Sequence, residues 1–127
     1  MERVTGIGGL FFRAAQPESL SRWYATHLGV DPAPESYDEP SWWQQAGPTV
    51  FTAMSSNSPH FGSAAHTWAV NFRVSNLEAM VNQLRSSGID VDVDPEDYPN
   101  GRFASLLDPE GNSIQLWQPT GDLSGPG

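Results

Sequence analysis

Apolar positions recur along this chain with two different periods. In P-E-S-L-S-R-W-Y-A-T-H-L, Leu20, Trp23, Tyr24 and Leu28 fall at helical spacing, and in S-N-L-E-A-M-V-N-Q-L-R-S-S-G, Leu77, Met80, Val81 and Leu84 occupy i, i+3, i+4 and i+7. Pro17 suits a first helical turn, where its missing N–H has no partner to lose, and Gly29 ends that helix. Ser75 with Glu78 three residues later reads as a capping box for the second helix, and Gly88 as its stop. Each helix therefore has one apolar face.

The remaining segments alternate with a period of two. Residues 9–14 (G-L-F-F-R-A) and 69–74 (A-V-N-F-R-V) share Phe-Arg at an offset of 60, which suggests an internal repeat. Strand-like segments follow the first helix at about 30–37, 41–46 and 48–54, and follow the second at 88–93, 101–107 and 112–118. Asn100-Gly101 and Asp108-Pro109-Glu110-Gly111-Asn112 supply the turn chemistry between the last strands.

The order is β-α-β-β-β, twice, predicting an α+β domain. A first module covers about 5–54, a small polar linker 55–66 and a second module 67–119, within one domain of residues 1–119. The tail 120–127 is expected to be disordered.

Alternation also assigns faces. Leu10 and Phe12, like Val70, Phe72 and Val74, form uniformly apolar rows that belong under the helices, leaving Phe11, Arg13, Asn71 and Arg73 on the opposite side. If two curved sheets abut, these residues line a concavity with Thr49, Phe51 and Ala53 from one half and Ser113, Gln115 and Trp117 from the other. An Arg at a sheet edge often only pairs with an acid or reaches for water, but here two point towards one space.

Composition narrows the chemistry. The chain has 127 residues, enough for one domain that buries roughly 65–70% of its unfolded surface without disulfide or metal. All six basic residues are Arg, so neither a Schiff base nor a P-loop Lys is available. No Cys is present, which removes thiolate metal sites and Cys nucleophiles.

A net charge of −9 makes nucleic acid and anionic membrane poor partners and leaves small molecules. The apolar run Gly6 to Phe12 is short and preceded by Glu2, which argues against a signal peptide, and a cytoplasmic location is expected. The run Asp90 to Asp97 alternates Asp with Val, but Pro95 and Gly101 stand where a calcium loop needs Gly and Glu, so an exposed strand is expected. No G-x-S-x-G, H-E-x-x-H or G-x-G-x-x-G motif occurs.

Three stretches carry a family resemblance: F-F-R-A-x-x-P-E-x-L-x-x-W-Y-x-x-H-L-G at 11–29, N-F-R-V-S-N-L-E-A at 71–79, and G-R-F-A-S-L-L-D-P-E-G-N-S-I-Q-L-W at 101–117. Together they resemble the vicinal oxygen chelate superfamily, which includes glyoxalase I, bleomycin-resistance proteins and extradiol dioxygenases. The resemblance implies two βαβββ modules paired into a curved, cup-like mixed sheet with helices outside, and a homodimer. The cup forms within one chain or across two.

Relatives hold a divalent metal between the modules, and motif alignment puts the ligand positions at Gly9, about Phe51, Ala69 and Gln115. Only Gln115 carries a donor, a neutral amide, and one such ligand does not hold a transition metal against water. His60 and His66 fall in the linker and His27 in the last helical turn, outside these positions. No cofactor and no metal are expected.

The leading expectation is a metal-independent cup that binds a small organic molecule, anionic or aromatic, through Phe11, Arg13, Trp43, Phe51, Asn71, Arg73, Arg102, Gln115 and Trp117, with Phe103 nearby. The alternative is an enzyme of the same superfamily, either a lyase or isomerase using Glu110, Arg102 and Tyr98 at the cup rim or a dioxygenase with an atypical site. A third possibility is a regulatory subunit whose cup is filled by its own side chains.

Overall fold

A computed structural model describes residues 1–121; residues 122–127, most of the expected tail, lie outside the described residues. Helix α1 (Pro17–Leu28) comes first, then a single 3-10 turn (Pro59–Phe61). Strand β1 (Ala69–Arg73), helix α2 (Leu77–Ser86), β2 (Asp92–Val93), β3 (Gly101–Leu107) and β4 (Ser113–Pro119) follow. The strands form one mixed sheet in the order β1-β4-β3-β2, with β1 parallel to β4 and the other pairs antiparallel. This is an α+β arrangement of a four-stranded open sheet and two helices.

Both helices begin and end where local chemistry allows. Pro17 sits in the first turn of α1, and Gly29 closes it in the left-handed conformation with φ 71°. The capping box expected at Ser75 does not form. Asn76 is the cap, its Oδ1 accepting from the Ala79 N–H at 3.0 Å, because a side chain one residue later in an extended conformation reaches the free donor directly. Gln118 Oε1 accepts from the Leu77 N–H at 2.7 Å, so a strand side chain supplies a second acceptor to the same helix end. Gly88, with φ 80°, follows the C-terminus, where the Ile89 N–H returns to the Leu84 carbonyl.

The core lies on one side of the sheet. Leu20 and Tyr24 of α1 and Leu77, Val81 and Leu84 of α2 pack with Ala104, Leu106, Ile114 and Leu116 of β3 and β4. Val70, Phe72 and Val74 join that cluster, as the alternation predicts. Burying each large aliphatic side chain contributes roughly 1.5–3 kcal/mol, so this layer is the main source of stability.

The first half departs from expectation. Segments 9–14, 30–37 and 41–54 run without joining a ladder, and the strand expected over 88–93 is confined to Asp92–Val93. A strand gains stability from neighbours, and Pro32, Pro34, Pro40 and Pro48 remove donors while Gly6, Gly8 and Gly9 add chain entropy. Leu10 is therefore exposed rather than under a helix, whereas Phe12 does reach the core edge, with its ring 4.4 Å from that of Trp68 and 6.3 Å from that of Tyr24.

Candidate functional site

The other sheet face carries no helix among the described residues, and register fixes its contents. One row across the strands is Asn71, Gln115, Ser105 and Asp92; the next is Arg73, Trp117 and Phe103. The first row is polar and the second is aromatic with a guanidinium at its end. Adjacent strands are separated by about 4.8 Å, so each row is a ladder of contacting side chains.

Within the polar row the Asn71 amide donates to Gln115 Oε1 at 2.7 Å. This orients both amides and leaves Asn71 Oδ1 and the Gln115 NH2 as available hydrogen-bonding groups. In the aromatic row Phe103 and Trp117 lie parallel, with a 2° interplanar angle and centroids 6.3 Å apart. The Trp117 indole donates to the Asn100 carbonyl at 2.8 Å, so Trp117 is buried and Phe103 forms the more accessible surface. Gln115, Ser105 and Phe103 also share a shallow concavity of about 270 Å³ with Asp92, Asp94 and Pro95. Pockets that enclose a drug-sized ligand begin at about 300 Å³, so this half offers a platform rather than an enclosure.

Gly101 makes the aromatic row possible. Its φ is 137°, and a Cβ there would lie 2.3 Å from the Gln118 carbonyl oxygen and 2.7 Å from Trp117 Nε1. No other residue fits.

Of the expected cup residues, Asn71, Arg73, Gln115 and Trp117 come together on this face. Arg102 does not: it pairs across from Gln118 on the helix side and forms an ion pair with Asp97 at 3.0 Å. Phe11, Trp43 and Phe51 are 94%, 88% and 89% exposed, and Arg13 is exposed as well, so in the single chain these four stand in solvent. Ser105 went unnoticed in the sequence, although the same alternation that placed Phe103 on this face also placed Ser105 there.

The groups suggested for acid–base chemistry are dispersed. The Tyr98 hydroxyl donates to Asp94 at 2.8 Å, and hydrogen bonding first to Asp94 and then to Glu96 pushes its phenol up to about 12. Glu110 sits at the far end of β3 from Arg102 and is more than a turn residue. Its two carboxylate oxygens accept from the N–H groups of Ala15 and Gln16 at 2.7 and 2.9 Å, clamping the approach to α1. Beside it, His66 bridges the Ser63 hydroxyl at 2.9 Å and the Glu110 carbonyl at 3.1 Å.

The residues present do not fit the metal that the resemblance implies. Gly9 and Phe51 lie in exposed segments and Ala69 opens β1, none of them with a donor side chain, and the one remaining group is the neutral Gln115 amide, whose oxygen accepts from Asn71. Among the described residues no three His, Asp or Glu side chains gather in a way that could hold an ion. No described helix is long and apolar enough to cross a membrane.

Comparison with known proteins agrees with this fold. The sequence profile of the Glyoxalase/Bleomycin resistance protein/Dioxygenase superfamily matches residues 6–116. The anthracycline biosynthesis protein DauV of Streptomyces sp. (strain C5) is 33% identical over 96 residues, which is 73% of this chain and 34% of DauV. The chain thus spans about a third of the length of that relative.

Among solved structures, TnmS3, an antibiotic-binding protein from Streptomyces sp. CB03234, superposes with a TM-score of 0.60 at 18% identity, covering 94% of this chain and 100% of its own. A putative glyoxalase family protein from Bacillus anthracis gives 0.55 at 16% identity, covering 93% and 100%. At these identities the two structures speak for the fold. With the profile running across nearly the whole of both halves, the chain belongs to the Glyoxalase/Bleomycin resistance protein/Dioxygenase superfamily.

Proposed function

We propose that this protein binds a small planar organic molecule on the helix-free sheet face and sequesters it without a metal. The observation that carries this reading is the Asn71–Gln115 amide pair set beside the parallel Phe103 and Trp117 rings. An apolar platform with a few oriented polar groups suits a flat ligand bearing carbonyl or hydroxyl oxygens. The single neutral amide at the four ligand positions supports metal independence. The roles of two similar proteins, antibiotic binding in TnmS3 and anthracycline biosynthesis in DauV, are consistent with a polycyclic aromatic ligand. The dispersal of Tyr98, Arg102 and Glu110 gives the lyase or isomerase alternative no assembled acid–base pair.

The working form in this reading is a homodimer, with a second copy of the chain completing the cup. Phe11, Trp43, Val50 and Phe51 are exposed, and segments 9–14 and 41–54 have no ladder partner. Large exposed apolar surface of this kind marks an interaction site. Sedimentation of a single-chain mass at tens of micromolar would count against the dimer.

Binding is tested by titrating isotope-labelled protein with an anthracycline aglycone and a panel of planar aromatic compounds. The reading requires amide shifts concentrated at Asn71, Phe103, Ser105 and Gln115, with quenching of tryptophan fluorescence. Shifts confined to the helix side, or none with any compound, would overturn it.

A further inference from the structure

Arg73 ends β1 next to Trp117, and its guanidinium is held by neutral groups of the first half. Nη2 donates to the Gln45 carbonyl at 2.7 Å, and Nη1 donates to the Pro48 carbonyl and, at 3.4 Å, to the Thr49 hydroxyl. Gly47 lies directly against it: a Cβ there would stand 2.9 Å from Cζ and Nε, so any larger residue would push the guanidinium out of this position. Among the described residues the one ion pair is Arg102–Asp97, so no carboxylate neutralises Arg73.

These contacts are also the only hydrogen bonds, among the described residues, that tie segment 41–54 to the sheet. The segment is a strap secured at one point.

We infer that Arg73 is an exchangeable anion receptor. It secures the strap through carbonyls in the free protein and turns to an anionic group of the ligand when one occupies the adjoining face, releasing the strap. This rests on the binding role proposed above and adds the ligand's charge class: a planar aromatic carrying a carboxylate or phenolate. The chemistry favours exchange because a guanidinium bonds an anionic oxygen about twice as strongly as a neutral carbonyl and can engage both oxygens of a carboxylate at once. The row order Arg73, Trp117, Phe103 places the charge at the rim of an aromatic platform, where an acid substituent on a flat ring system would lie. A strap with so few bonds to the body opens at small cost.

The test compares 2-naphthoate with its neutral counterpart 2-naphthamide, following amide shifts on the sheet face and amide-nitrogen relaxation over residues 45–49. Wild-type protein should bind naphthoate about tenfold more tightly than naphthamide, and naphthoate alone should mobilise the strap. In Arg73→Gln the preference should vanish while naphthamide affinity holds, and the strap should be mobile without ligand. Gly47→Ala should loosen the strap and tighten naphthoate binding, leaving naphthamide unchanged.

Equal affinity for the two probes in wild-type protein, a preference that survives in Arg73→Gln, or an Arg73→Gln strap as rigid as wild type would each overturn the inference and leave the binding face standing. Failure of both probes to shift that face would overturn the inference together with the binding role.

Discussion

The Tyr24 hydroxyl donates to Asp108 Oδ2 at 2.7 Å, joining residues 84 apart in sequence. Both side chains are buried, and the same carboxylate accepts from the backbone N–H groups of Glu110 and Asn112 and from the Asn112 amide. Asp108 thereby organises its own turn and anchors α1. Tyr24→Phe removes one of four donors to a buried carboxylate, a loss of about 1–2 kcal/mol. The expected result is a lower urea midpoint with an unchanged slope; a midpoint equal to wild type would show that the bond contributes nothing net.

The same pair sets an alkaline limit. Burial first, and then the hydrogen bond to and charge of Asp108, raise the Tyr24 phenol well above its ordinary value of 10.0. Below that ordinary value both folded and unfolded chains hold the proton and the stabilisation is complete. Above it the unfolded chain ionises while the folded one does not, so stability falls with rising pH, by at most about 1.4 kcal/mol per pH unit from this group. Tyr24→Phe should flatten the decline between pH 10 and 12, leaving a remainder that includes exposed Tyr98, whose phenol is also raised, to about 12. Urea midpoints measured across that range provide the check, and parallel curves for the two proteins would refute the assignment.

Glu110 offers a separate test of how α1 is held. Its carboxylate satisfies two N–H groups just before the helix, where a negative charge also complements the helix dipole. Glu110→Gln should cost about 1 kcal/mol and speed hydrogen exchange at Ala15 and Gln16 more than elsewhere in the chain. Uniform acceleration would instead indicate a global effect.

Much of this architecture was legible because it is local. Helical spacing in Leu20, Trp23, Tyr24 and Leu28 and in Leu77, Met80, Val81 and Leu84 gave both helices, and alternation in 69–74 and 112–118 gave the two faces, with Asn71 and Gln115 on the same one, though not their pairing. What escaped depends on partners distant in sequence. The Glu110 clamp needs the turn to lie against residues 15 and 16, and the Arg73–Gln45–Pro48 contacts need Gly47 to pass a side chain 26 residues away. Neither leaves a periodic signal. Segments 9–14 and 41–54 alternate as strands do, yet alternation describes side-chain preference and does not supply a neighbouring edge.

Gly101→Ala should be among the most damaging single-methyl changes. The added carbon would overlap the Gln118 carbonyl oxygen and Trp117 Nε1, in a conformation with positive φ that alanine resists. Backbone strain of about 1–3 kcal/mol is then joined by loss of the indole bond to Asn100. A fall of more than about 2 kcal/mol in stability, together with a changed tryptophan near-UV spectrum, is the expected outcome. A stable variant with the wild-type spectrum would mean that the turn has another conformation open to it.

Metal chemistry can be tested by restoring donors. Ala69 and Gln115 lie on the same face of adjacent parallel strands, two register positions apart, since Ala69 pairs with Ser113 and Asn71 with Gln115. Diagonal neighbours are about 7–8 Å apart, a span that a histidine and a carboxylate can close around one ion. Ala69→His with Gln115→Glu should therefore take up Ni²⁺ with measurable heat, while wild-type protein gives none, because a carboxylate supplies the anion that the amide lacks and no longer accepts the amide bond as its only task. Wild-type protein that binds Ni²⁺ stoichiometrically and loses it in Gln115→Ala would reverse the conclusion. Its amide would then be a ligand, and the remaining donors would have to come from a second chain.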